Sequence, residues 1–382
     1  MTNLSSSFDV IVIGGGFLGL SSAYELAKQG AQVLLLEAGD IGSGTSASCS
    51  GRAQVCEGHL DPLNIQLIVD GLQKHEVLEE ELGQSYDWRK IGLYLIIRTQ
   101  SSWDYWQNRA ATLTMQGIPT QVVDQKTLQT AEPNMNTNGL LGAVHTVEGM
   151  INPLKFSLAY ASAARKYGAV IQGHSRVTNF EMNKNRVVAV QTRNERYTCD
   201  KVAVMTGAMV SETLKLAGAS LPVQYTHAEA VVTEPIPPMI FNNIEISDFY
   251  ETIHGKQRAV AIGVHPDLHG SIDISEAVTV TDHFHKNVSA WGITALAKEL
   301  IELYPFMSKV RVVRSWGRPT SFTPDEEPII GWMPQLENVF VATSLVETIT
   351  AVPILSEWMA MMMLDKNSPT SLDQFAPSRF TL

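Results

Sequence analysis

Residues 9–13 (Asp-Val-Ile-Val-Ile) are a run of β-branched side chains closed by three consecutive glycines. Such a run reads as a parallel strand buried on both faces. Gly14-Gly15-Gly16-Phe17-Leu18-Gly19 then fits G-x-G-x-x-G. Leu20, Ala23, Tyr24 and Ala27 recur at helical spacing as far as Gly30, a residue suited to ending a helix. A second apolar strand, residues 32–36, ends on Glu37, 18 residues beyond Gly19. A strand, a glycine turn, a helix and a second strand that ends in an acid leave few folds open.

Each part has a physical task. Gly14 permits a tight turn, Gly16 lets a pyrophosphate approach the backbone, and Gly19 lets the helix pack closely on the strand. Phosphates are drawn to the helix N-terminus by unpaired N–H groups and the helix dipole. Glu37 is placed to accept hydrogen bonds from an adenosine ribose, and its charge disfavours a 2′-phosphate. The element predicts dinucleotide binding. By itself it does not separate FAD from NAD.

Composition narrows the class. The 382 residues exceed one ordinary core, so two domains are expected. With 45% apolar and 18% charged residues the chain is globular rather than disordered. A formal charge of −11 opposes broad binding to nucleic acid or an anionic membrane. Cys49, Cys56 and Cys199 are one thiolate short of an iron–sulfur cluster and read as small buried or half-buried side chains. His254, His265 and His269 place no two residues on one helix face, so no metal site is expected. No window reaches the ~20 apolar residues of a membrane span, and residues 1–7 do not read as a signal peptide. The expectation is a soluble, cytoplasmic protein.

Further motifs follow in order along the chain. Gly42-Ser-Gly-Thr45-Ser46 precedes Gly51-Arg52. His145-Thr-Val-Glu-Gly-Met-Ile-Asn-Pro153 enters a helix over 154–167. Ser175-Arg-Val177 follows a strand, and residues 201–208 form a second strand ending in Thr206-Gly207-Ala208. Residues 316–331 read WGRPTSFTPDEEPIIG, and the tail reads Gln-Phe-Ala-Pro-Ser-Arg379-Phe380. Together these motifs resemble the D-amino-acid-oxidase-like superfamily of FAD enzymes, which includes glycine oxidase and the β subunits of sarcosine oxidase and of dye-linked amino-acid dehydrogenases. The resemblance covers nearly the whole chain.

The resemblance implies FAD as cofactor, held by Gly14, Gly15, Gly16, Phe17, Leu18, Gly19, Glu37, Ala38, Thr45, Ser46, Arg52, Val177, Thr206, Gly207, Ile349 and Thr350. It implies a Rossmann-like FAD-binding domain over 1–58, 148–220 and 317–382. A mostly antiparallel substrate domain, 59–147 and 221–316, is interleaved with it. The implied reaction is oxidation of the C–N bond of a small amine or amino acid by hydride transfer to the flavin. The chain is then a β subunit working with partners that carry a second flavin or an iron–sulfur cluster, a stand-alone oxidase releasing hydrogen peroxide, or a flavoprotein subunit without catalysis.

Two residues are candidates for contact with the substrate. Arg318 offers a guanidinium fork for a carboxylate, although an ungapped match puts Thr320 at the relatives' arginine and leaves a structural role open. His227 lies where relatives carry a basic residue, and a histidine satisfied by local hydrogen bonds is the alternative. The chain also departs from its relatives at Ser344 and Thr348, which replace glycines, and at Leu345, which replaces a histidine. Ile349, Thr350 and Pro353 keep the relatives' pattern.

Overall fold

Strand β1 (Ser7–Ile13) shows why the chain needs two cores. Its side chains alternate between the two faces of a sheet, as extended backbone requires. Val10 and Val12 enter one apolar cluster, and Ile11 and Ile13 enter another on the opposite face. Complete burial of each such side chain stabilises the fold by about 1.5–3 kcal/mol.

The computed structural model describes residues 7–56, 60–249, 252, 256–281 and 285–380. In chain order β1, α1 (Phe17–Lys28), β2 (Val33–Leu36), β3 (Arg52–Ala53) and α2 (Pro62–Leu82) come first. They are followed by β4 (Arg89–Ile97), α3 (Gln100–Met115), β5 (Gln121–Asp124), α4 (Gln125–Ala131) and β6 (Gly142–Met150). Next come α5 (Pro153–Lys166), β7 (Val170–Gln172), β8 (Val177–Asn183), β9 (Arg186–Thr192), β10 (Arg196–Val204) and α6 (Val210–Lys215). The chain continues through β11 (Gln224–Thr233), β12 (Asn243–Ile246), β13 (Arg258–Pro266), β14 (Ile272–Val280) and α7 (Ala290–Leu303). Then follow β15 (Val312–Phe322), β16 (Ile329–Trp332), β17 (Val339–Thr343) and α8 (Thr348–Met363).

The chain divides into two units, Met1–Trp88 with Ile151–Gln224 and Thr320–Leu382, and Arg89–Met150 with Tyr225–Pro319. The first unit holds a sheet in the order β16-β17-β10-β1-β2-β7. β17, β10, β1, β2 and β7 run parallel, and β16 is antiparallel at the edge. Helices α1, α2, α5 and α8 supply residues to the cluster on one face, among them Leu20, Tyr24, Leu67, Phe156, Tyr160, Leu355 and Met359. This is the Rossmann-like pattern, with one sheet buried on both sides.

One expectation needs correcting. Residues 59–147 are expected in the substrate domain, but Pro62–Leu82 form a helix, capped by Asp61 on the N–H groups of Leu63 and Asn64 and ended by Gly83 in the left-handed region. That helix belongs to the first unit, not to the substrate domain. Its Leu63, Leu67, Leu78 and Leu82 join the core of α1, α5 and α8. An apolar stripe announces a helix but does not name the surface that covers it.

The second unit holds a sheet in the order β15-β11-β14-β13-β12-β4-β6, with β5 beside β6. Its pairs are antiparallel at β11–β14, β13–β14, β12–β13, β4–β6 and β5–β6, and parallel at β12–β4. Helix α7 packs on β13 and β14. Strand β15 begins at Val312, after a short 3₁₀ turn over Pro305–Lys309.

Candidate functional site

In the first unit Gly14 to Gly19, Glu37, Ser46 and Thr206 gather around the carboxyl end of β1. Gly14 has φ +111°, and a Cβ there would stand 2.3 Å from the Met205 carbonyl oxygen. No larger residue makes this turn. A Cβ on Gly19 would come 1.9 Å from the Gly14 carbonyl oxygen, so α1 starts as close to the strand as backbone allows. Gly16 is the N-cap of α1, which carries no acidic residue in its first turn.

Glu37 reaches back to this turn. Its Oε2 accepts from the Gly15 N–H at 2.7 Å, and its Oε1 accepts from the Gly39 N–H at 2.7 Å. An ionised carboxylate has about four acceptor positions, so two remain for the hydroxyls of a ribose. The segment after β7 lies beside it, with the Ser175 N–H donating to the Glu37 carbonyl and the His174 N–H to the Gly39 carbonyl. Val177 opens β8 two residues later, and Ala38 sits between the two anchored positions. The loop over 42–46 closes the other side. The Gly42 N–H donates to the Gly15 carbonyl at 2.8 Å, and Ser46 Oγ accepts from the Phe17 N–H at 3.0 Å. Thr45 caps the short 3₁₀ turn over Ser46–Ser48. Leu18 is half-buried and Arg52 is buried. Thr206 lies against Gly14, and the Gly207 carbonyl accepts from the Thr343 hydroxyl at 3.1 Å.

These residues fit a dinucleotide. A Cβ on Gly16 would come 3.0 Å from Ser46 Oγ, and one on Gly15 would come 2.9 Å from the Glu37 Cβ. The strip of bare backbone between the turn, the acid and the serine loop admits no side chain of its own. It borders a helix N-terminus free of acid in its first turn, which suits phosphate.

The amino end of α8 is shaped by more distant residues. Thr350 Oγ1 donates to the Gln54 carbonyl at 2.6 Å. His75 Nε2 lies 2.9 Å from the Ile349 carbonyl oxygen, and its Nδ1 lies 2.9 Å from the Tyr86 hydroxyl. One helical turn before His75, a Cβ on Gly71 would come 2.0 Å from the Thr350 carbonyl oxygen. Burial holds the His75 ring down to about 4, well below an ordinary histidine, despite the Ile349 carbonyl, Glu76 and Glu79. Sequence reading missed both Gly71 and His75. Ser344, in place of a glycine, sits at φ +59°, and its hydroxyl meets that of Ser321 at 3.0 Å.

In the second unit the two catalytic candidates do not converge. His227 is buried, its Nε2 lies 2.8 Å from the Asn287 carbonyl, and its ring stands 3.9 Å from that of His285. Burial first, and His285 second, push its pKa down. Glu229, two residues on and therefore on the same face, accepts from the Ser289 N–H and hydroxyl at the start of α7. A Cβ on Gly317 would strike the His227 ring, so Arg318 points the other way. There its Nη2 is paired with Glu276 Oε2 at 3.1 Å. Thus His227 serves the face covered by α7, while Arg318 and Glu276 share the opposite face. His227 and Arg318, each weighed separately for contact with the substrate, lie on opposite faces of this sheet.

Of the three histidines weighed for metal, His254 lies outside the described residues. His265 is buried with Nε2 2.7 Å from Glu245 Oε1, and His269 is exposed. Among the described residues no group of three or more His, Cys, Asp or Glu is placed to hold a metal ion. Cys56 and Cys199 are buried, the latter with its thiol pushed up to about 12 by burial, and Cys49 is half-buried. Among the described residues no helix is long and apolar enough to cross a membrane.

Comparison with known proteins agrees with this geometry. A family model described as "FAD dependent oxidoreductase" matches residues 9–362. Mitochondrial dimethylglycine dehydrogenase of Mus musculus is 22% identical over 397 residues, covering 97% of this chain and 44% of that protein. The chain therefore spans under half the length of that relative. Sarcosine oxidase subunit beta of Rhodobacter capsulatus is 23% identical over 341 residues, covering 87% of this chain and 79% of the relative. L-proline dehydrogenase from P. horikoshii has the same fold, with a TM-score of 0.87 at 20% identity over 99% of this chain and 98% of that one.

Proposed function

We propose that this chain, which belongs to the FAD-dependent oxidoreductase family, oxidises the C–N bond of a small amine or amino acid. The observation that carries the reading is the cradle of Gly14–Gly19, Glu37 and Ser46 within a family match spanning residues 9–362. Dimethylglycine, sarcosine and proline, in the names of the three relatives, are all small amines bearing a carboxylate, which supports a substrate of that class. Similarity to a sarcosine oxidase β subunit supports work beside partner subunits, to which we assign the second flavin or iron–sulfur centre.

Bound FAD supplies the two-electron acceptor for the substrate's α C–H bond. This chain's residues do the remaining work. The Gly16 amide at the start of α1, with the dipole of that helix, receives the pyrophosphate, and Glu37, held by the Gly15 N–H, receives the ribose. To the same cofactor we assign Leu18, Ala38, Thr45, Arg52, Val177, Thr206 and Gly207. Ile349 and Thr350, at the positive end of α8, stabilise negative charge on the reduced ring. Arg318 anchors the substrate carboxylate from the sheet face opposite α7, with Glu276 fixing its fork. His227 we assign to the scaffold.

The test is a screen of flavin bleaching under argon with glycine, sarcosine, dimethylglycine and proline, followed by a peroxide assay on admitting air. Bleaching by one of them is expected, and bleaching without rapid peroxide identifies a dehydrogenase. A protein that holds FAD but is bleached by no amine overturns the reading.

A further inference from the structure

Helix α8 contains a proline in its interior, Pro353. In an α-helix the carbonyl of residue 349 accepts from the N–H of residue 353, and proline has none to give. A buried carbonyl left without a donor destabilises the fold. Ile349 is that residue, and His75 Nε2 lies 2.9 Å from its oxygen. We propose that His75 is a positioning residue that replaces the N–H missing at Pro353 and so fixes the first turn of α8 against the flavin. The flavin clause rests on the function proposed above, and the repair of the helix does not.

The chemistry of the contact sets the tautomer. A carbonyl only accepts, so Nε2 carries the proton and Nδ1 is the acceptor. The Tyr86 hydroxyl, 2.9 Å from Nδ1, is then the donor to the ring. A relay from Tyr86 through His75 to the Ile349 carbonyl results, and it needs a neutral imidazole. The surroundings enforce neutrality. The ring is 1% exposed, stacks on Trp88 at 4.3 Å and 9°, and leans on Phe156 at 5.7 Å. The Glu76 and Glu79 charges raise its pKa, but burial is the larger effect.

The backbone approach also has a purpose. Gly71 and His75 are four residues apart and so share one face of α2. Any side chain at 71 would strike the Thr350 carbonyl oxygen. Glycine brings the helices close enough for an imidazole to span the gap. Ile349 and Thr350 thus have their carbonyls met by α2, while the Thr350 hydroxyl is tied to Gln54. The N–H groups of that turn stay directed along the helix axis, where they complement negative charge.

The experiment is a double-mutant cycle between His75→Leu and Pro353→Ala, with His75→Gln as the conservative variant. Thermal stability is measured on each protein, and the flavin midpoint potential is measured by dye equilibration, which needs no substrate. His75→Leu is expected to lower the flavin's reduction equilibrium about 10-fold, which is about 30 mV for a two-electron couple. His75→Gln keeps an N–H donor and is expected to retain most of both readouts. In the Pro353→Ala background the helix supplies its own N–H, so His75→Leu should then change each readout less than 3-fold. Should His75→Leu fail to fold, the double variant must still fold. Equal losses in the two backgrounds overturn the repair. An unchanged potential in a folded, FAD-loaded His75→Leu protein overturns the positioning role. Absence of bleaching by amines in the parent protein, by contrast, overturns only the proposed reaction, because the cycle reads without turnover.

Discussion

The amino ends of α1 and α8 lie in the same unit, yet they are specified by different kinds of information. α1 begins on Gly14, Gly15, Gly16 and Gly19, and its shape follows from backbone clearances inside six residues. Its longer contacts, Glu37 and Ser46, lie 22 and 29 residues away. α8 begins on residues with ordinary side chains, and a proline removes one of its hydrogen bonds. It is completed by His75, 274 residues earlier, and by Gln54, 296 residues earlier. Local clearance makes a motif that a reader can see. Distant repair does not.

The largest expected effect tests whether the two ends are equally intolerant of bulk. Gly19→Ala and Gly71→Ala each force a methyl to within 2.0 Å of a carbonyl oxygen, and each should destabilise by about 3 kcal/mol or more. Chemical denaturation of both proteins checks this, and near-native stability in either would show that its helix can shift.

Acid should separate the ends next. His75 is near 4 in the fold against an ordinary 6.5, so the unfolded chain takes up its proton first. Its contribution is complete above about pH 6.5, declines as pH falls toward 4, and levels off below. The full span is at most about 3 kcal/mol. The difference in unfolding free energy between the parent and His75→Leu, followed from pH 7 to pH 4, should shrink by that amount. A difference independent of pH would mean the ring is not neutral in the fold.

Glu37→Ala probes α1 alone. Loss of a charged hydrogen-bond acceptor should weaken FAD by about 1.5–3 kcal/mol, read by flavin retention during dilution, while the potential of the flavin that stays bound should barely move. The smallest effect belongs to Ser344, at φ +59° before α8. Ser344→Gly relieves a left-handed residue but gives back chain entropy, so a gain of up to about 1 kcal/mol in thermal stability is expected.

The same division explains what the sequence disclosed. The parallel strand at 9–13, the glycine turn and Glu37 were legible because each residue type has one dominant reason to be there. Helix 61–82 was legible as a helix, but its partner was not, because its leucines fit any apolar face. His227 and Arg318 were each legible as a candidate, but spacing along strands does not reveal which face a residue takes. Only the contact of Gly317 with His227 puts them on opposite faces. His75 did leave a signal that went unread. A proline five residues into a helix orphans one carbonyl, and a Gly-x-x-x-His stripe elsewhere in the same unit is one way to answer it.

The answer carries a consequence for how such a chain can drift. Pro353 and His75 are unequal in their freedom to change. Replacing the proline first restores a main-chain donor and makes the histidine dispensable. Replacing the histidine first strands the Ile349 carbonyl while the proline still blocks its repair. Descent therefore has a preferred order, and lineages that have lost the histidine should already have lost the proline. The contact works as a one-way gate in sequence space, set by a single absent N–H.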